Sequence, residues 1–188
     1  MKEQNNKRII LLRIVLTALW LVMIGFIFFN SSQTGEQSAA RSSTLTDTVQ
    51  QVVSVVAPQS PIATAKGEAY DRLHNCVRVW AHFIEFAALG VLTCWGYFSY
   101  TNSKNYLFLP ILTLVFVPFL DEWSQTFSVG RGAEWQDCLI DVAGGLLGFL
   151  LALLALVIVV YYYKKRRALR ALYDSVKDRT RQLSGGAV

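Results

Sequence analysis

The chain has 188 residues, of which 53% are hydrophobic and only 16% charged, and its formal net charge is +5. A soluble domain carries about 25% charged residues, so the composition argues against a soluble globular protein, including a buried soluble bundle. The hydrophobic residues are gathered in four long runs. We therefore predict an all-α polytopic membrane protein with four transmembrane helices.

The four predicted spans cover residues 9–29, 79–100, 106–127 and 139–163. About 20 helical residues cross a hydrocarbon core of about 30 Å, so each run is long enough. The first run exceeds the core of a signal peptide and is interpreted as a retained helix. A short polar turn at 101–105 should make spans two and three antiparallel neighbours. Span three contains Pro110 and Pro118, which are expected to kink it.

Basic residues predict the orientation of these spans. A basic arm at 1–8 and a basic tail at 164–188 flank the membrane domain, 9–163. In this topology the inner segments hold 13 basic and 3 acidic residues, and the outer segments hold 5 and 10. The positive-inside rule then places both termini of a plasma-membrane protein in the cytoplasm. The net positive charge is explained by this topology and by attraction of the basic inner segments to an anionic inner leaflet. It gives no sign of nucleic acid binding.

Residues 34–75 form the predicted long outer loop. A stripe of apolar residues at helical spacing indicates a short amphipathic helix lying on the outer membrane face. Thr44 or Thr46 is expected to cap it, and Pro58 and Pro61 to end it. A second short helix is expected at 66–76. The stripe consists of Leu45, Val49, Val52, Val53 and Val56.

Small residues raise two further expectations. Gly144 and Gly148 form a GxxxG motif, which favours close packing against a neighbouring span of the same chain. Cys76 and Cys138 both fall near the outer face, where a disulfide is chemically feasible. Unbonded thiols that pack as small hydrophobic groups are the simpler alternative for both, as for Cys94.

Ionisable side chains cluster near the outer ends of spans two, three and four, at spacings that place them on shared helix faces. Charged groups at membrane depth are costly and rare, so their presence is a hypothesis of function. Bare carboxylates repel one another, so cations or bound protons must balance them. We therefore expect one shared polar pocket in the outer leaflet. The set comprises Arg78, His82, Glu85, Asp121, Glu122, Gln125, Arg131, Asp137 and Asp141.

These side chains allow two kinds of chemistry. Arg78 and Arg131 suit bidentate binding of phosphate or carboxylate. In a catalytic interpretation, His82 is a general base or a metal ligand, and Asp137 or Asp141 is an acid or base. Glu85, Asp121 and Glu122 are then candidates to hold a divalent cation. The identity of any metal or cofactor stays open.

The same residues resemble the motifs of the VanZ-like family of bacterial membrane proteins over about residues 9–160. The matching order begins with Ser31-Ser32-Gln33 after span one and continues through Arg78-x3-His82-Phe83-x-Glu85. It ends with Asp121-Glu122-x2-Gln125-x-Phe127, Gly130-Arg131 and Asp137-x3-Asp141-x2-Gly144-x3-Gly148.

This family is named for a protein linked to resistance against the glycopeptide teicoplanin, so the resemblance implies a cell-envelope role. Within these motifs, Gln125, Gln33 and Ser32 join the two arginines as ligand-binding candidates. Two functions remain open. One is binding of a lipid-linked or wall-precursor headgroup; the other is an intramembrane enzyme that hydrolyses or transfers a group on such a lipid. A proton-coupled transporter is a third option, and homo-oligomerisation is left open.

Overall fold

A computed structural model describes residues 2–101 and 107–185, and these fold into five α-helices without a strand. The helices are α1 (Lys2–Ser31), α2 (Gly35–Val56), α3 (Glu68–Tyr100), α4 (Phe108–Gln125) and α5 (Trp135–Gly185). The predicted all-α class is confirmed for this part of the chain. The predicted turn at 101–105 lies largely outside the described residues.

Three helical segments are long and apolar enough to cross a membrane: Asn6–Ser31, Glu68–Tyr100 and Trp135–Lys177. Among the described residues, α4 does not join this group, so length and composition support three spans rather than the four predicted. The reason lies in α4 itself, because its 18 residues include two prolines and end with two acidic residues and other polar groups. Pro110 falls in its first turn, where no helical hydrogen bond is lost, and only Pro118 lies inside the helix.

Helices α1 and α3 are antiparallel and joined by polar contacts along their length. Trp20 donates a hydrogen bond to the Thr93 hydroxyl at 3.0 Å, and Asn30 donates to Glu85 at the far end. Helix α4 runs in the direction of α1, because Thr113 and Tyr100 line one cavity while Gln125 reaches Ser31. The apolar core between these helices and α5 includes Ile27, Phe86, Leu89, Leu114 and Phe149.

Helices α3 and α5 are parallel and packed backbone to backbone through glycines. A Cβ atom on Gly144 would lie 2.4 Å from the Phe83 carbonyl oxygen, and one on Gly148 would lie 1.9 Å from that of Ala87. On the facing helix, a Cβ on Gly90 would lie 2.0 Å from the Gly145 carbonyl oxygen. The GxxxG motif therefore packs within the chain, as predicted.

Helix α2 begins ten residues earlier than the apolar stripe indicated. Thr34 is its N-cap: its hydroxyl accepts from the Gln37 amide, and the Gln37 side chain accepts from the Thr34 amide. This capping box overturns the predicted cap at Thr44 or Thr46. The helix ends at Val56, before Pro58, as expected. Leu45, Val49, Val52 and Val56 remain exposed.

Two further segments join longer helices instead of standing alone. The basic arm is helical from Lys2 and continuous with α1, and the short helix expected at 66–76 is the first part of α3. The basic tail continues α5, whose 51 residues extend about 75 Å, far beyond a bilayer core. Cys76, Cys94 and Cys138 are free thiols, so the disulfide between Cys76 and Cys138 is not formed.

Candidate functional site

Polar side chains gather at one end of the helix bundle, which we call the polar end. It is formed by the last turns of α1 and α4, the first turns of α5, residues 78–85 of α3 and the start of α2. The same spacing of four residues recurs on three helices and produces two layers. Arg78, Gln125 and Asp137 form the upper layer, and one turn deeper each helix contributes one more residue: His82, Asp121 or Asp141. A turn of this kind corresponds to about 6 Å along a helix.

The upper layer borders a cavity of about 260 Å³, which we call the entry pocket. The α2 N-terminus forms one wall and the loop between α4 and α5 forms another. Gly35 fits there because its amide donates to the Val129 carbonyl at 2.9 Å, and a Cβ would lie 2.3 Å from the Gly130 oxygen. The lining residues are Gly35, Ser38, Ala39, His74, Asn75, Arg78, Gln125, Gly130, Arg131, Gly132, Glu134 and Asp137.

Two arginines give the entry pocket positive charge. Arg78 lies 3.6 Å from Asp137, and about a third of its side chain remains exposed. Arg131 is half-buried and donates to the Asn30 carbonyl over 3.4 Å, a long hydrogen bond. Burial lowers the pKa of the Arg131 guanidinium, while the nearby Asp121 carboxylate acts in the opposite direction. A guanidinium carries five N–H donors, so both arginines can still bind an anion.

The deeper layer is almost closed to solvent. The Asp121 and Asp141 residues are fully buried, and the His82 side chain is 19% exposed. One ligand-type atom of each of the three lies within 4.8 Å of those of the other two. His82 Nδ1 is 3.8 Å from Asp141 Oδ1, beyond hydrogen-bond distance. Asp121 also accepts a hydrogen bond from Gln125 at 3.2 Å.

Glu85 contacts α1, whereas Arg78 and His82 on the same face of α3 lie beside α5. It accepts a hydrogen bond from Asn30 at 3.0 Å, and Asn30 in turn accepts one from Arg41, which also reaches Gln33. These residues line a second, smaller cavity of about 60 Å³ that also includes His82, Arg78 and Arg131. Through His82, the surroundings of Glu85 are continuous with the deeper layer.

The remaining predicted residues take separate positions. Glu122 is buried and accepts a hydrogen bond from the Glu134 amide, which orients one of its oxygens toward the loop. Gln33 lines the smaller cavity. The exposed Ser32 hydroxyl donates to the Phe29 carbonyl of its own helix at 2.8 Å, so the structure does not bring it into the described cavities.

Several residues of the site were not found from the sequence. Asn30, Arg41, Ser38 and His74 line the cavities, and none stands in a recognisable chemical motif. Only Arg41 could have been noticed in the sequence, because it is a lone cation among small residues in the first half of α2. The buried Ser31 side chain, 3.5 Å from the Gln125 amide nitrogen, completes the contact between α1 and α4.

The comparison with known families matches this whole region. The family model described as VanZ/LLP1 covers residues 15–159, which include every residue of the polar end. The chain therefore belongs to the VanZ/LLP1 family, as the sequence motifs predicted. No curated protein and no solved structure matches the chain.

Proposed function

We propose that this member of the VanZ/LLP1 family binds the anionic headgroup of a lipid-linked or wall-precursor molecule in the entry pocket, at the outer leaflet of a bacterial plasma membrane. The family is associated with teicoplanin resistance in general.

The first support is that α4 extends through the bundle over the same depth as α1 and α3. Its 18 residues extend about 27 Å, close to the thickness of a hydrocarbon core. One end lies beside Tyr100 of α3 and the other beside Ser31 of α1. If α1 and α3 cross the membrane, α4 crosses with them. Four spans then place both basic termini in the cytoplasm and the polar end outside.

The second support is a group of exposed aromatic residues at the polar end. Trp80, Trp123, Phe127 and Trp135 are each more than half exposed, and all four lie in or next to the helix turns that form this end. Aromatic side chains of this kind are typical of the boundary between hydrocarbon and headgroups. The entry pocket then lies at headgroup level, with the exposed apolar stripe of α2 resting on the outer surface.

The third support is the size and charge of the entry pocket. Drug-sized ligands occupy pockets of about 300–1,000 Å³, so a cavity of about 260 Å³ suits a headgroup rather than a complete precursor. Arg78 and Arg131 line the same cavity and present planar donors that match phosphate or carboxylate. Asp137, Glu134 and Ser38 are available to hydroxyl or amine groups of the ligand. The two convergent arginines are the observation that carries this proposal.

The test is to identify what the protein retains from its own membrane. The full-length protein is purified in mild detergent and analysed by native mass spectrometry, together with Arg131→Gln, Arg78→Gln and Arg72→Gln. Arg72 is a matched control because it lies on the same helix but is 70% exposed and paired only with Glu68 among the ion pairs described. We expect an anionic lipid on the wild type and on Arg72→Gln, and its loss from the other two variants. Equal retention by all four proteins, or none by the wild type, would contradict the proposal.

One observation favours the alternative, an intramembrane enzyme that hydrolyses or transfers a group on the same lipid. Titratable side chains meet in the deeper layer directly below the entry pocket, and such clusters are common in active sites. Mass spectrometry of lipids and wall precursors from knockout and complemented cells separates the two functions. An enzyme changes the amounts of a substrate and its product, whereas a binding protein leaves the precursors chemically unaltered.

A further inference from the structure

The deeper layer contains buried polar atoms that have no hydrogen-bond partner. They are His82 Nδ1, Asp121 Oδ1 and both carboxylate oxygens of Asp141. An ionised carboxylate removed from water without compensation costs several kcal/mol. Asp141 is the clearest case, because its side chain is 1% exposed and neither of its oxygens is paired. Something other than a protein donor must therefore balance these groups.

We propose that His82, Asp121 and Asp141 bind one divalent transition-metal ion, of which Zn²⁺ is the representative. The three residues come from α3, α4 and α5, one ligand-type atom of each lies within 4.8 Å of those of the other two, and each residue has a buried atom without a hydrogen-bond partner. The separation of 3.8 Å between His82 Nδ1 and Asp141 Oδ1 is too long for a hydrogen bond. Two ligands of a tetrahedral ion at about 2.1 Å lie about 3.4 Å apart, so a small side-chain rotation suffices.

The local charge also favours a cation. Five carboxylates are buried or half-buried at the polar end, whereas Arg78 and Arg131 are the guanidinium groups at similar depth among the described residues. Negative charge is therefore in excess, and a divalent ion reduces it where the acids are closest. The carboxylates are Glu85, Asp121, Glu122, Asp137 and Asp141.

The ligand types decide which cation fits best. An imidazole nitrogen with two carboxylates is typical of Zn²⁺, Mn²⁺ or Fe²⁺, whereas Mg²⁺ and Ca²⁺ prefer oxygen ligands. Among the described residues, the cluster within 4.8 Å consists of His82, Asp121 and Asp141, so Glu85 and Glu122 are not part of the set, although Glu122 Oε2 is also buried without a partner. Three protein ligands leave at least one position open, as in catalytic zinc sites. A void of about 10 Å³ beside His82 and Asp141 is close to the minimum for one water molecule.

This site rests on its own geometry and does not require that the entry pocket binds a lipid. The experiment measures metal per chain by elemental mass spectrometry, on full-length protein in detergent, after equilibration with Zn²⁺ and removal of free metal. We expect about one Zn²⁺ per wild-type chain and less than about a tenth of that for His82→Gln and for Asp141→Asn. Two matched controls should retain the metal: His74→Gln, the other histidine, and Asp174→Asn, an exposed acid farther along α5.

A comparison of unfolding temperatures with and without metal distinguishes loss of the metal site from poor folding of a variant. With a chelator present, Asp141→Asn should unfold at a temperature equal to or above that of the wild type, because it removes an unpaired buried charge. With Zn²⁺ present the order should reverse, because only the wild type is stabilised by the ion.

The proposal is overturned if the wild type takes up no stoichiometric transition metal and shows no shift in its unfolding temperature. Preference for Mg²⁺ or Ca²⁺, or equal loss of Zn²⁺ in the control and ligand variants, would also overturn it. Lipid retention measured on the same samples separates this result from the proposed function. A wild-type protein that holds Zn²⁺ but no lipid refutes headgroup binding alone, and one that holds lipid but no metal refutes the metal site alone.

Discussion

The contact between α3 and α5 is the part of the fold on which both layers of the polar end depend. We expect Gly148→Ala to weaken it, because the new Cβ atom would lie 1.9 Å from the Ala87 carbonyl oxygen. That distance is more than an ångström below the 3.0 Å that real Cβ contacts essentially never undercut. The obstructing atoms are helix backbone, so the two helices must separate rather than a side chain rotate.

Overpacking of this kind costs about 1–3 kcal/mol. Gly96→Ala is the matched control, since it lies on α3 and no atom lies within 4 Å of its added Cβ. The control should be neutral or gain up to about 1 kcal/mol from the helix propensity of alanine. The assay is reversible unfolding of the purified protein by SDS added to mild detergent, followed by circular dichroism. Equal unfolding free energies for Gly148→Ala and Gly96→Ala would refute the predicted close packing.

Three further predictions concern the loop, the bundle and the topology. Thr34→Ala should lower the free energy of unfolding by about 1 kcal/mol through loss of the capping box, as measured by the same SDS titration. The control is Thr48→Ala, because the Thr48 hydroxyl donates only to the Thr44 carbonyl of its own helix. An equal loss of stability in the control would contradict the role of the cap. Asn30→Leu should cost about 1–3 kcal/mol because it removes the amide donor of a half-buried carboxylate, and unchanged stability in that titration would contradict the contact. In a cysteine-free background, a membrane-impermeant maleimide should label Ser38→Cys but not Ser175→Cys in intact cells, and the opposite pattern would place the polar end inside.

The sequence predicted the helices well where long apolar runs or glycine spacing determine them. It predicted less about α4, because a run broken by prolines and acidic residues satisfies the length of a span without its hydropathy. The start of α2 was missed although the signal was present: Thr34 and Gln37 have the spacing of a capping box. The apolar stripe drew attention to the later, more hydrophobic half of that helix.

The predicted ionisable residues lie close together at the polar end, but the sequence did not give their pairings. Helical spacing correctly places Arg78, His82 and Glu85 near one face, yet it does not say which neighbouring helix each side chain meets. In the structure, α5 lies beside the first two through Asp137 and Asp141, while α1 presents an asparagine to Glu85. These contacts depend on the parallel packing of α3 and α5 and the antiparallel packing of α1 and α3. The predicted alternation of spans implies these directions, but it does not say which spans are neighbours or in which register they pack.

Headgroup binding by the two arginines is tested most directly by an equilibrium titration. The full-length protein in nanodiscs is titrated with a short-chain lipid phosphate, and its Kd is compared with those of Arg78→Gln/Arg131→Gln and of Arg72→Gln. Hydrogen bonds to charged groups contribute about 1.5–3 kcal/mol each, and 1.4 kcal/mol is a tenfold change. We predict a Kd raised by about 100-fold or more in the double variant and unchanged in Arg72→Gln. Equal Kd values for the wild type and the double variant would contradict the proposed role of the entry pocket.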